Sequence, residues 1–179
     1  MMNVNFKSQL LTVYKLHEDV SDLKYGSEQA ACFDISSYIT FQTCIKAYTK
    51  NNSLVEILAT QDGEGKNFID LPAEWRALIP TGLILDIPEG HSVRIYPRSG
   101  ISSKKGLNLI NCVGIIDSDY VEQLFVPLYN NSQEKIRIYC GERIAQGEMV
   151  LNNPTIFAYT TEKPKIKTDR DGGFGSTGI

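Results

Sequence analysis

The pentapeptide Tyr96-Pro97-Arg98-Ser99-Gly100 brings a guanidinium, a hydroxyl and a flexible backbone together within three residues, a group that suits phosphate oxygens. Its plain structural counterpart is an ordinary surface turn. Further along, Asn111-Cys112-Val113-Gly114-Ile115-Ile116-Asp117-Ser118-Asp119-Tyr120 sets apolar residues around Gly114 and closes on a carboxylate pair and an aromatic ring. That spacing predicts a tight hairpin, with turn capping as the structural alternative for Asp117 and Asp119. Gly141-Glu142-Arg143-Ile144-Ala145-Gln146 reads locally as a turn entering a strand. The tail holds a literal G-x-G-x-x-G at Gly173, Gly175 and Gly178, but no room follows it for the helix that a dinucleotide fold requires. The glycines allow backbone N–H groups to converge on an anion, Ser176 and Thr177 add donors, and Arg170 adds a charged fork. Phe174, isolated among glycines, reads as a ring that stacks on something planar such as a base. A polar tail without such a role is the alternative.

These residues need a scaffold, and the pattern around them is β-rich. Runs at Leu83 to Ile87, Ser92 to Tyr96 and Gln123 to Tyr129, separated by Gly, Pro and Asn, suit a sandwich or barrel. The best helix candidate follows Arg98 to Gly100, where Ser99 or Ser102 could cap a short turn before Gly106. Lys46 to Ile57 alternates around Asn51 and Asn52, which predicts a hairpin, and Gly63 to Gly65 predicts a second turn. The stretch of about 36–70 is therefore expected as an inserted excursion on a main body of residues 1–159. Residues 160–179, polar and then glycine-dominated, are expected as a mobile C-terminal arm.

Composition narrows the classes. The chain has 179 residues, enough for one domain with its own core. Eighteen Lys and Arg against 21 Asp and Glu leave a formal charge of −3, which offers no broad positive field for nucleic acid. Cys32, Cys44, Cys112 and Cys140 are widely spaced without a C-x-x-C and are read as buried free thiols. The opening MMNVNFKSQLL has no sustained apolar stretch, and no run of about 18 apolar residues occurs, so a cytoplasmic protein without a membrane partner is expected.

Taken in order, the pieces resemble the five short motifs of the trimeric deoxyuridine triphosphatases (dUTPases). Ala31-Cys32-Phe33-Asp34-Ile35 is similar to the first, Pro97 to Gly100 to the second, Asn111 to Gln123 to the third, Gly141 to Gln146 to the fourth, and Arg170 to Gly178 to the fifth. Pro80-Thr81-Gly82 and Ile87-Pro88-Glu89-Gly90 resemble the linking segments. The chain departs from the pattern at Cys32 and Glu122, where glycine is usual, by one residue fewer between Arg170 and Phe174, and by the longer stretch 36–70.

The resemblance implies an all-β, distorted jelly-roll sandwich and hydrolysis of dUTP to dUMP and pyrophosphate, by water attacking the α-phosphorus with Mg²⁺ as cofactor. It implies Asp117 as general base and Asp34 as a metal contact through water. Arg98, Ser99, Gly100, Gln146 and Arg170 would bind phosphates. Asn111, Gly114, Ile115 and Ile116 would read uracil, Tyr120 would lie against the deoxyribose, and Gln123 would complete the substrate contacts. Phe174, Gly175 and Ser176 would close over the nucleotide. A homotrimer with interfacial sites is implied as well. Two rival readings stand beside it: a dCTP deaminase or bifunctional enzyme of the same superfamily, to which Glu122 would lend a carboxylate, and a dual-role regulator that binds a protein partner through 36–70.

Overall fold

Burial with a period of two runs through the chain, and it decides which residues form strands. In Cys44–Tyr48 the buried residues are Ile45 and Ala47, and in Phe125–Asn130 they are Val126, Leu128 and Asn130. The structure, a computed structural model, describes residues 9–168. The described chain forms β1 (Thr12–Lys15), β2 (Lys24–Tyr25), β3 (Phe33–Ser36), β4 (Cys44–Tyr48), β5 (Leu54–Leu58), β6 (Thr60–Gln61), β7 (Asn67–Leu71), β8 (Arg76–Pro80), β9 (Leu83–Asp86) and β10 (His91–Tyr96). It continues with α1 (Ser99–Lys105), β11 (Leu107–Leu109), β12 (Gly114–Asp117), β13 (Phe125–Asn130), β14 (Ile136–Tyr139) and β15 (Arg143–Leu151).

Two five-stranded sheets, ordered β12-β10-β15-β3-β2 and β11-β13-β8-β4-β5, carry most of the core. The three-stranded β14-β7-β6 and the pair β1-β9 flank them. Ile35, Val93, Ile95 and Ile144 from the first large sheet join Ile45, Ala47, Ile79, Val126 and Leu128 from the second in one buried cluster. This is the expected all-β sandwich, held by apolar faces that only the opposing layer can cover.

The stretch 36–70 is built into these layers. Asn51 and Asn52 do lie in a turn between β4 and β5, with Asn52 at φ 65°, and Gly63 to Gly65 do lie in the turn between β6 and β7. Yet β4 also pairs with β8, β7 pairs with β14, and Ile39, Ile45, Ala47, Ala59 and Ile69 belong to the core. An excursion that merely sat on the body would leave those side chains wet.

Three local expectations change. The N-cap of α1 is Arg98, whose side chain makes no capping bond, and the helix ends at Gly106 in the left-handed conformation. The apolar run around Gly114 is no hairpin closed on itself, because β11 pairs with β13 while β12 pairs with β10 in the other sheet. All four cysteines are free, but Cys44 and Cys112 are exposed and Cys32 and Cys140 half-buried. From Asn152 to Thr168 the chain forms no strand or helix and is exposed throughout. Among the described residues no helix is long and apolar enough to cross a membrane.

Candidate active site

One group of side chains gathers where β3, β15 and β10 run side by side. The register sets Asp34 of β3 opposite Gln146 of β15, and Gln146 opposite Tyr96 of β10, so the three stand in one row across the sheet. The chain leaves β10 at Pro97, whose carbonyl accepts a 3.0 Å hydrogen bond from Gln146 Nε2. Arg98 then turns back across the row. Its Nε forms an ion pair with Asp34 Oδ1 at 2.8 Å, and its Nη1 donates to the Arg143 carbonyl at 3.0 Å. Arg143 Nη1 reaches the second Asp34 oxygen at 2.9 Å. The guanidinium of Arg98 is thus committed across the sheet, and having no acceptor it could not cap α1 in any case.

Beyond this knot lies a cavity of about 430 Å³ lined by Arg98, Gly100, Ile101, Lys104, Lys105 and Arg143 among others. Lys105 is ion-paired with Glu142, which also accepts the Tyr139 N–H at 3.2 Å, so the 139–142 turn is fastened to α1. Ser99 and Gly100 are exposed at the start of the helix. On the same sheet the Tyr96 hydroxyl donates to Glu148 at 2.6 Å, and that bond pushes the tyrosine pKa up. The arrangement presents several cations to one hollow and can receive a polyanion.

A second group lies on the far side of β10. Gly114 pairs with Ile95 and Asp117 with Ser92. Gly114 is buried, and a Cβ there would come within 3.2 Å of Ile95 Cβ and 3.4 Å of Asn111 Nδ2, so a side chain would push the 110–114 turn away from the sheet. That turn is tight: Cys112 has φ 60°, and the Val113 N–H reaches the Asn111 carbonyl at 2.6 Å. Asn111 and Ile115 are exposed, whereas Ile116 packs against the core. After β12 the chain reverses through Asp117 to Tyr120, with the Tyr120 N–H on the Asp117 carbonyl at 3.2 Å and the Tyr120 hydroxyl on the Gln123 carbonyl at 2.9 Å. Asp117, Tyr120 and Glu122 are exposed and Gln123 is half-buried.

Within one chain Asp117 stays apart from the cradle, although Gly114, beside Ile95, lies next to the Tyr96 row. The Ser92 row that holds Asp117 and the Tyr96 row that holds Gln146 and Asp34 are four residues apart along β10, roughly 13 Å at ~3.3 Å per residue. A base must approach the proton it takes to within about 3 Å, directly or through one water. Arg98, Gln146 and Asp34 come together with Ser99 and Gly100 next in the chain, Asn111 and Gly114 lie beside Ile95 near that row, and Asp117 with the turn to Tyr120 lies three residues further along β12. Arg170, Phe174, Gly175 and Ser176 lie outside the described residues. Arg143 was not among the residues singled out for a role, although it stands inside the Gly141–Gln146 motif. Asp34 spends both oxygens on guanidinium groups, and no cluster of three His, Cys, Asp or Glu side chains occurs among the described residues. These residues offer no direct ligand set for Mg²⁺.

Fold and site together define an all-β sandwich that carries a cationic cradle where β10 ends and β15 begins. A family model described as dUTPase matches residues 66–178, and the chain belongs to the dUTPase family. It is 40% identical over 173 residues to the deoxyuridine 5'-triphosphate nucleotidohydrolase of Wolinella succinogenes, which covers 96% of each chain. With the corresponding protein of Finegoldia magna it is 41% identical over 142 residues, 75% of this chain and 98% of the other. Two solved structures share the fold. A mutant dUTPase of Staphylococcus bacteriophage 80alpha, with dUpNHpp, matches at TM-score 0.71 and 23% identity over 96% of this chain and 100% of its own. A mutant dUTPase of phage phi11 of S. aureus, described with a structural Mg(II) ion, matches at TM-score 0.66 and 20% identity over 88% of this chain and 100% of its own.

Proposed function

We propose that the chain hydrolyses dUTP to dUMP and pyrophosphate, which limits uracil incorporation into DNA and supplies dUMP for thymidylate synthesis. The observation that carries this reading is the placing of two charged groups from the family's motifs toward opposite ends of β10: a cationic cradle at Arg98 and an exposed carboxylate at Asp117. Neither half is sufficient alone. In a homotrimer the cradle of one copy meets the Asp117–Tyr120 turn of the next, and three interfacial sites result.

In such a site Arg98, with Ser99 and Gly100, holds phosphate oxygens, and Gln146 supports the Pro97 carbonyl beneath them. Asp117 acts as the base. A carboxylate is weak in that role near pH 7, so its contribution is to hold a water in line with the leaving pyrophosphate and to accept its proton. The tight 110–114 turn presents backbone groups and the Asn111 amide to the uracil edge, which leaves cytosine with mismatched polar groups and a thymine methyl without room. Tyr120, fixed by its bond to Gln123, lies against the deoxyribose and excludes a 2′-hydroxyl. Arg170, Phe174, Gly175 and Ser176 close the site. Mg²⁺ prefers phosphate oxygens and keeps several waters; bound with the triphosphate, it would lower the charge that Arg98, Ser99 and Gly100 meet.

The test is pyrophosphate release from dUTP, dTTP, dCTP and UTP by the full chain. The expected result is release from dUTP far above the other three. Ammonia and a uracil product from dCTP would instead assign a deaminase.

A further inference from the structure

We propose that Asp34 is a positioning residue that sets the guanidinium groups of Arg98 and Arg143 for phosphate, a role separate from the water-mediated metal contact that the sequence motif implies. The inference rests on the dUTP-hydrolase reading and concerns how the cradle of that site is built. The side chain of Asp34 is only 16% exposed, and its two oxygens are divided between two cations, Nε of Arg98 at 2.8 Å and Nη1 of Arg143 at 2.9 Å. The two arginines are also tied to each other through the Arg98 bond to the Arg143 carbonyl. These contacts close a ring through β3, the end of β10 and the start of β15.

Long cationic side chains lose rotamer freedom when they grip an anion, and that loss weakens binding. Here one carboxylate imposes it before any ligand arrives. The single negative charge leaves the pair with a net positive charge, and the remaining donors of both forks stay available for phosphate oxygens. A carboxylate offers about four lone-pair sites, so one guanidinium contact on each Asp34 oxygen leaves acceptor capacity for a metal-bound water, and the positioning role is separate from that contact. Positioning should therefore act on the phosphate chain whether or not a divalent cation is present.

The experiment measures binding of a non-hydrolysable α,β-imido analogue of dUTP to the full chain by calorimetry, in EDTA and across a Mg²⁺ titration. Asp34→Asn keeps the shape and removes the charge. The expected result is a weakening of about tenfold or more in EDTA, where no metal contact can contribute, and a loss at least as large in Mg²⁺. Wild-type affinity for Asp34→Asn in EDTA, with a loss or a midpoint shift only when Mg²⁺ is added, would overturn the proposal. Should Asp34→Asn fail to fold, Asp34→Glu keeps the charge and displaces it by one methylene. It should also bind more weakly in EDTA, and unchanged affinity there would equally overturn the idea. Failure of the wild-type chain itself to bind the analogue would count against the dUTP-hydrolase reading and with it the ligand on which positioning acts.

Discussion

Asp117 is exposed at the end of a strand, and its carbonyl, not its carboxylate, accepts the hydrogen bond that closes the following turn. Asp117→Asn therefore keeps the turn while removing the base. The expected outcome is a fall in kcat of about 10²–10⁴-fold with affinity for the imido analogue within about threefold of wild type. Near-normal kcat would remove Asp117 from the chemistry. At this scale the site was legible wherever the chemistry is local. Arg98, Ser99 and Gly100 are contiguous, and the Asp-x-x-Tyr spacing of Asp117 and Tyr120 is one turn. The Asp34–Arg143 contact joins residues 109 apart in sequence, and no short-range pattern announces which cation a carboxylate will meet across a sheet. The role of Arg143 is hidden in the sequence for the same reason.

Among elements, β15 is the central strand of its sheet, with β10 on one side and β3 on the other. Its Gly147 faces Phe33, and a Cβ there would fall 2.7 Å from Phe33 Cε2 and 2.9 Å from Cζ. Gly147→Ala is expected to destabilise the fold by about 1–3 kcal/mol, read as a lowered Tm, because the buried ring has to leave its place. An unchanged Tm would mean that Phe33 repacks without cost. The sheet β14-β7-β6 carries a second check. Asp70 of β7 stands opposite Arg137 of β14, whose Nε and Nη2 donate to it at 2.8 and 3.0 Å, and these bonds hold the Asp70 carboxyl below its ordinary pKa. A depressed folded-state value contributes stability that is present above the unfolded value, near pH 4, and is lost as pH falls through the lower one. Asp70→Asn should cost on the order of 1 kcal/mol at pH 7, and its Tm should converge on that of wild type in acid. A pH-independent gap would assign the effect to something other than this pair. Alternation made most strands legible, β4 and β5 around Asn51 and Asn52 among them. Strand pairing was not, because the run from Asn111 to Asp117 looks the same whether it folds on itself or, as β12, lies along β10. The burial of Leu107 and Leu109 in the opposite sheet decides the matter, and that is a tertiary fact.

For the whole molecule the decisive feature is the separation between the cradle at Arg98 and the carboxylate at Asp117, held at opposite ends of β10 by a rigid sheet. Composition could not show it, since a sandwich of this size folds equally well with one complete site or two incomplete ones. Function as proposed requires that neighbouring copies pool their halves. Subunit complementation tests this most directly, using Asp117→Asn and Arg98→Gln chains expressed separately and then together in equal amounts, with pyrophosphate release from dUTP as the readout. Each variant alone should be nearly inactive, whereas random co-assembly should restore about one quarter of the wild-type activity, because one site in four then joins an intact Asp117 to an intact Arg98. A mixture no more active than its components would contradict a site shared between copies.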